Sequence, residues 1–144
     1  MKLCIFSDSH GRAELVKKLP AADAYLFCGD GLGDLENVPG PVYAVAGNCD
    51  WPGRAPDQLL LELGGRRILL THGHRYRVKF DLYRLYLAAR EQQADLAVFG
   101  HTHLPTCREE DGVLMLNPGA LSGKTHTCLL LDTETLETSF EEIE

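Results

Sequence analysis

Five short apolar runs in this chain each end in the same kind of polar juncture, and that recurrence limits the possible folds more than any other feature. Leu3-Cys4-Ile5-Phe6 leads into Ser7-Asp8-Ser9-His10, and the juncture returns at Gly29-Asp30, Gly47-Asn48-Cys49-Asp50, Thr71-His72-Gly73-His74 and Gly100-His101-Thr102-His103. An uninterrupted apolar run of this length reads as a strand buried on both faces, the kind that builds parallel sheets. Open α/β sheets keep their chemistry at the carboxyl ends of such strands. One aspartate and histidine at a strand end is an ordinary turn; five such junctures in order point to a shared site.

Between the junctures the pattern alternates. Residues 11–19 carry Leu15, Val16 and Leu19 at helical spacing, and Pro20 is the stop. Residues 24–28 and 42–46 are further buried strands, separated by a glycine-containing loop in which Asp34 reads as a helix cap. Strand, helix, strand, loop, strand is βαβ order and predicts a parallel sheet. After a loop with two prolines and a glycine at 51–56, residues 59–63 and 68–70 flank Gly64-Gly65 as a β-hairpin that delivers His72 and His74. The longest helix is predicted over 79–93, with Phe80, Tyr83 and Leu87 beside Leu82, Leu85 and Tyr86 as a broad apolar face. From Pro105 the pattern turns antiparallel, with strands to about Glu109 and over 113–116, 127–131 and 136–140. The expectation is one α/β domain over residues 1–144, two packed sheets with helices outside.

Composition excludes several classes. No apolar run approaches the roughly 20 residues of a membrane helix, and the amino terminus enters a strand without the pattern of a leader, so the expected location is cytoplasmic. Cysteines stand at 4, 28, 49, 107 and 128 without close pairing, three of them inside apolar runs, which reads as reduced thiols rather than disulfides or a thiolate zinc site. A net charge of −7 argues against stable binding of long nucleic acid, which requires a basic surface. A short phosphorylated substrate remains compatible, because metal ions can supply positive charge locally.

The strand-end donors are Asp8, His10, Asp30, Asn48, His72, His101 and His103. Two carboxylates, four imidazoles and an amide suit manganese, iron, zinc, cobalt or nickel, and are too rich in histidine for magnesium or calcium. Seven donors exceed the four of a tetrahedral zinc site. Two ions sharing a bridging carboxylate account for the number, and ion pairs roughly 3.5–4 Å apart are what hydrolytic phosphate chemistry uses.

In this order, Asp8-x-His10, Gly29-Asp30, Gly47-Asn48, His72-Gly73 and Gly100-His101-x-His103 resemble the five signature blocks of the calcineurin-like metallophosphoesterase superfamily. The small size, Gly47-Asn48-Cys49-Asp50 and Thr71-His72-Gly73-His74 are most similar to its compact YfcE-like phosphodiesterase branch. The resemblance spans residues 3 to about 121. It implies a four-layer α/β/β/α sandwich of two mixed β-sheets flanked by helices, acting as a phosphodiesterase on a small phosphodiester substrate. It also implies two divalent transition metal ions, manganese first and nickel, iron, zinc or cobalt as alternatives. Asp8, His10 and His103 would hold the first, Asn48, His72 and His101 the second, and Asp30 would bridge them. A hydroxide between the ions would then attack phosphorus in line, with Asn48 helping to absorb charge on the phosphoryl oxygens.

One position departs from the family pattern. Many members carry histidine after the Gly-Asn pair, where it is thought to protonate the leaving oxygen, and this chain has Cys49. A thiol with an ordinary pKa near about 8.5 is a poor acid at neutral pH. Phosphodiesters with good leaving groups are therefore expected, with His74 as the candidate catalytic residue, or metal-bound water, assisting where an acid is needed. The rival functions are a phosphomonoesterase or nucleotide hydrolase, and a non-catalytic scaffold similar to the retromer subunit of this fold. A competent donor at all seven positions argues against the scaffold. Elsewhere Asp50 reads as a brace for the Gly-Asn turn, Asn117-Pro118-Gly119 as a turn, His126 as structural, and Arg75, Arg77, Lys79 and Arg84 as a solvated face with phosphate contact as the rival reading. No inserted specificity domain fits between the blocks, so the site is expected to be shallow. A homodimer through Trp51 or the helix around Tyr83 and Tyr86 is the oligomeric expectation.

Overall fold

The computed structural model describes residues Met1–Glu144 as two five-stranded sheets packed face to face, each covered on its outer side by helix or helical turns. The first sheet is built from β1 (Lys2–Phe6), β2 (Ala24–Phe27), β3 (Val42–Ala44), β9 (Thr127–Asp132) and β10 (Thr138–Glu142), in the order β10-β9-β1-β2-β3. The second contains β4 (Gln58–Leu63), β5 (Arg66–Thr71), β6 (Leu96–Val98), β7 (Thr106–Glu110) and β8 (Val113–Asn117), in the order β4-β5-β6-β8-β7. Both sheets are mixed. β1, β2 and β3 run parallel, as do β5, β6 and β8, and antiparallel strands finish the edges. This is the expected four-layer sandwich.

The apolar runs are continuous because the central strands are buried on both faces, and alternate side chains serve different layers. Leu3 and Ile5 of β1, Leu26 of β2, Ile68 and Leu70 of β5 and Leu96 and Val98 of β6 meet between the sheets. Cys4, Phe6, Tyr25 and Phe27 face the other way, onto Leu15, Val16 and Leu19. Leu69 and Ala97 of the second sheet, with Phe99 just beyond β6, pack on Leu85, Ala88 and Ala89. β4 is an edge strand with only one face covered, so Leu59, Leu61 and Leu63 pack inward while Gln58, Leu60 and Glu62 face solvent.

Both helices are shorter than their sequence pattern suggests. α1 spans only Ala13–Val16, and the chain beyond it tightens: Lys18 N–H donates to Leu15 O and Leu19 N–H to Val16 O, three-residue bonds that wind down the helix ahead of Pro20. α2 spans Tyr83–Glu91, not 79–93. Its start is set by the Asp81 carboxylate, which accepts the Tyr83 N–H at 3.0 Å, and its end by Gln93 at φ +56°. The shorter helix also shows a narrower buried face. Leu85, Ala88 and Ala89 are buried, whereas Tyr83, Leu87 and the preceding Phe80 are exposed, so two stripes of apolar residues do not both face the sheet. Asp34 is not a helix cap: it lies inside the helical turn Leu32–Asn37 and is turned toward the loop after β1. No helix is long and apolar enough to cross a membrane.

Candidate metal centre

The segments that follow β1, β2, β3, β5 and β6 carry the five junctures, and several turn sharply. Asp8, His10, Asp30, His101 and His103 have φ of +54°, +42°, +65°, +68° and +65°. A left-handed conformation at a non-glycine residue is uncommon and strained, and its clustering marks a functional site more than a folding requirement. Two glycines permit the close approach this demands. A Cβ at Gly47 would lie 2.1 Å from Asp30 Oδ1, and one at Gly100 2.1 Å from Ser7 Oγ and 2.7 Å from Asp8 Oδ2.

All seven sequence-predicted donors come together. His72, fully buried, donates Nδ1–H to the Cys28 carbonyl at 2.7 Å, so its neutral form turns the Nε2 lone pair inward. Around Nε2 stand Asp30 Oδ2 at 3.2 Å, Asn48 Oδ1 at 3.0 Å and His101 Nδ1 at 3.2 Å. Alongside, Asp8 Oδ1 lies 3.1 Å from His103 Nε2 and 3.6 Å from His10 Nε2. Asp30 Oδ2 stands between the two sets, 3.2 Å from His72 and 3.9 Å from His10. Asp8, His10 and His103 form one group of geometrically compatible ligand atoms, and Asp30, His72 and His101 another. Lone pairs converging on lone pairs repel unless a proton or a cation lies between them.

The electrostatics of the site follow from this crowding. Burial by itself opposes the charged forms, but the Asp30 hydrogen bond and the Asp8 and Asp30 charges raise His72 above its ordinary pKa. Burial likewise works against ionised Asp30, yet the His72 hydrogen bond, the Cys49 N–H and the His72 and His10 charges hold it well below the usual carboxylate range. His101 is pushed down to about 4 by burial and by His72, Lys79 and His74. The two carboxylates thus favour positive charge at His72, while His101 is held toward its neutral form. Histidine-rich nitrogen and oxygen donors of this kind fit a divalent transition metal.

The surrounding residues fix these positions, and sequence reasoning reached only some of them. Asp50 is the brace it was expected to be: Oδ2 accepts the N–H groups of Asp30 and Gly47, both at 2.8 Å, and Oδ1 those of Gly31 and Leu32 at 2.9 and 3.0 Å. Asp34 performs the same task for the first juncture, accepting Ser9 Oγ–H at 2.6 Å and Gly11 N–H at 2.9 Å. Asn117, read only as part of a turn, is fully buried and donates its amide to Gly100 O and Thr102 Oγ1, both at 3.0 Å. β8 runs parallel to β6, so the rule that exposed the other junctures applied to Asn117 as well. Ser122 Oγ–H donates to Asp8 O at 2.6 Å, an arrangement for which the sequence carries no signal.

The remaining candidates separate. The His74 ring is centred 5.4 Å from that of His72 and 6.0 Å from that of His101, beside a groove of about 460 Å³ that Asn48, Pro56 and Arg75 also line. Burial, then His72 and Arg75, lowers its pKa, leaving it neutral at pH 7. Arg75 pairs with Asp57 at 2.9 Å. His126 is structural, its Nδ1 bonded to the Leu121 carbonyl at 2.8 Å. Cys4, Cys28 and Cys128 are buried free thiols, and Cys49 and Cys107 are exposed ones. Burial and the carboxylates of Asp30, Asp50 and Asp8 raise the Cys49 pKa, making it a still poorer acid.

Comparison with known proteins points the same way. The family described as "Calcineurin-like phosphoesterase superfamily domain" matches residues 1–136. "Probable metallophosphoesterase YsnB" of Bacillus subtilis is 40% identical over 127 residues, covering 84% of this chain and 75% of that protein. "Phosphodiesterase YfcE" of Escherichia coli K12 is 35% identical over 71% of this chain, which spans 58% of that protein's length. "Vacuolar protein sorting-associated protein 29" of Schizosaccharomyces pombe is 32% identical over 74% of this chain and 57% of its own length. A solved structure of an archaeal phosphodiesterase superposes with a TM-score of 0.84 at 25% identity, covering 99% of this chain and all of that one.

Proposed function

This chain belongs to the calcineurin-like phosphoesterase superfamily, in its compact YfcE-like branch, and from that membership we propose that it is a two-metal phosphodiesterase. As a member of that branch it is a phosphoric ester hydrolase. The observation that carries the finer reading is the convergence of Asp30 Oδ2, Asn48 Oδ1 and His101 Nδ1 within 3.2 Å of His72 Nε2, four ligand-type atoms around one point. In this reading Asp8, His10 and His103 hold one divalent ion, Asn48, His72 and His101 the other, and Asp30 bridges. Bound there, two such ions would supply an activated water and positive charge for the phosphoryl oxygens. Manganese is the first choice among the metals the donors suit.

The chain's own residues prepare this. The Cys28 carbonyl holds His72 in the tautomer that offers Nε2 to the site. Asp8, fully buried, and Asp30, nearly so, keep water from competing for their oxygens. Asn48 turns Oδ1 inward and leaves its NH₂ at the mouth of the site, where it can donate to a phosphoryl oxygen. His74 lines the groove where a leaving group would lie, as a neutral hydrogen-bonding group and not a charged acid. With Cys49 also a poor acid, diesters with good leaving groups are the expected substrates.

The test is hydrolysis of bis-p-nitrophenyl phosphate by metal-stripped protein with manganese, nickel, zinc or magnesium restored, beside Asp30→Asn. Metal-dependent turnover that falls at least about a hundredfold in the variant is expected, since even groups that only support a ligand are worth about 10–100-fold. Faster cleavage of p-nitrophenyl phosphate than of the diester would favour a monoesterase. Folded, metal-loaded protein without turnover on either would favour a scaffold, a reading supported by the likeness to the yeast sorting protein.

A further inference from the structure

A third group of ligand atoms overlaps the two described above. His10, Asp30 and Cys49 offer a ring nitrogen, a carboxylate oxygen and a sulfur that all lie within 4.8 Å of one another. Cys49 is fixed there: its N–H donates to Asp30 Oδ1 at 2.8 Å, so the residue is tied by its backbone to the carboxylate proposed to bridge the ions. Its side chain is exposed at the mouth, where the Sγ takes a weak contact from Asn48 Nδ2 at 3.7 Å. The sulfur therefore stands beside two proposed ligands. Every other donor in the centre is nitrogen or oxygen, and a thiolate is the one soft group available.

We propose that Cys49 is a further metal ligand, joining His10 and Asp30 when the ion is thiophilic, so that the centre distinguishes zinc, cobalt or cadmium from manganese and magnesium by a sulfur bond. The inference rests on the proposed metal centre and extends it by one residue. On ligation the S–H bond breaks, the proton leaves to water or buffer, and the sulfur donates an electron pair to the ion; nothing is oxidised or reduced. Zinc or cobalt is then held more tightly than nitrogen and oxygen donors alone would hold it, while manganese gains little.

The test uses the full chain, stripped of metal and titrated with cobalt or cadmium, and reads the ultraviolet sulfur-to-metal charge-transfer band together with bound metal per chain. Wild-type protein is expected to develop the band. Cys107→Ser, which removes the other exposed thiol, should keep it, and Cys49→Ser should lose it while still binding the ions. Cadmium affinity should fall about 10–100-fold in Cys49→Ser, with manganese affinity little changed. Metal bound without a band in the wild type, or a band that survives Cys49→Ser, would overturn the thiolate and leave the two-metal reading standing. Failure to bind either ion would overturn both.

Discussion

Replacing Asp50 by asparagine tests whether the ligand loops are held by one carboxylate. The side chain accepts four backbone N–H groups, two on each oxygen, from Asp30, Gly31, Leu32 and Gly47. An amide has one acceptor oxygen, so in either orientation Asp50→Asn satisfies two of the four and sets an NH₂ against the other two. Each lost bond to a charged acceptor costs about 1.5–3 kcal/mol, and the half-buried position favours the lower figure because water can reach in. The expected loss is about 3 kcal/mol, which in a chain of this length lowers Tm by about 10 °C. Burial works against the ionised form, but the N–H groups of Gly47, Leu32, Gly31 and Asp30 hold the Asp50 pKa below its ordinary value. A carboxyl with a depressed folded pKa contributes stability that is complete above the unfolded pKa, near about 3.9, and is lost as pH falls through the folded value. The difference between wild type and variant should therefore be full at pH 7 and shrink below about pH 4. Urea and thermal unfolding of both proteins in chelator measure it without interference from metal. A difference under about 1 kcal/mol at pH 7, or one that does not narrow in acid, would refute the brace.

Two further outcomes follow from the same geometry. Gly47→Ala places a Cβ 2.1 Å from Asp30 Oδ1 and 2.7 Å from Asp30 N, so backbone must move; a loss of about 1–3 kcal/mol by urea unfolding is expected, with weaker metal binding by calorimetry. His72 has a raised pKa, so in the metal-free protein its contribution is complete below the unfolded value near about 6.5 and is lost as pH rises through the folded one. Metal-free stability should fall across that window while metal affinity rises, because a divalent ion and the proton compete for Nε2; stability and calorimetric titrations over pH 5 to 8 should move in opposite directions.

The sandwich and the donors were legible in the sequence because one physical fact produces both. Strands buried on two faces leave unbroken apolar runs, so their ends, and the polar residues there, stand out. Residues whose roles depend on tertiary neighbours were not legible. Asp34 has the local pattern of a cap, and only the approach of the loop after β1 makes it a partner for Ser9. The stripe of Phe80, Tyr83 and Leu87 has helical spacing as good as that of Leu85, and which one is buried is settled by the sheet beneath. The left-handed backbone at five donors leaves no trace in composition, since aspartate and histidine are allowed there but not required.

The donors are divided unequally between the two halves of the sandwich. Loops of the first sheet bring every oxygen, from Asp8, Asp30 and Asn48, with the single imidazole of His10. Loops of the second bring imidazoles alone, His72, His101 and His103. Neither half holds the whole proposed ligand set, and His103 meets Asp8 across 95 residues of chain. An ion held by the proposed ligands would work as a clasp between two plates that otherwise adhere through aliphatic packing. Metal loading and the fit of Leu3, Ile5, Ile68 and Leu70 are then coupled: a methyl group removed deep in the seam would loosen the clasp from a distance, and chelation would soften the seam in return.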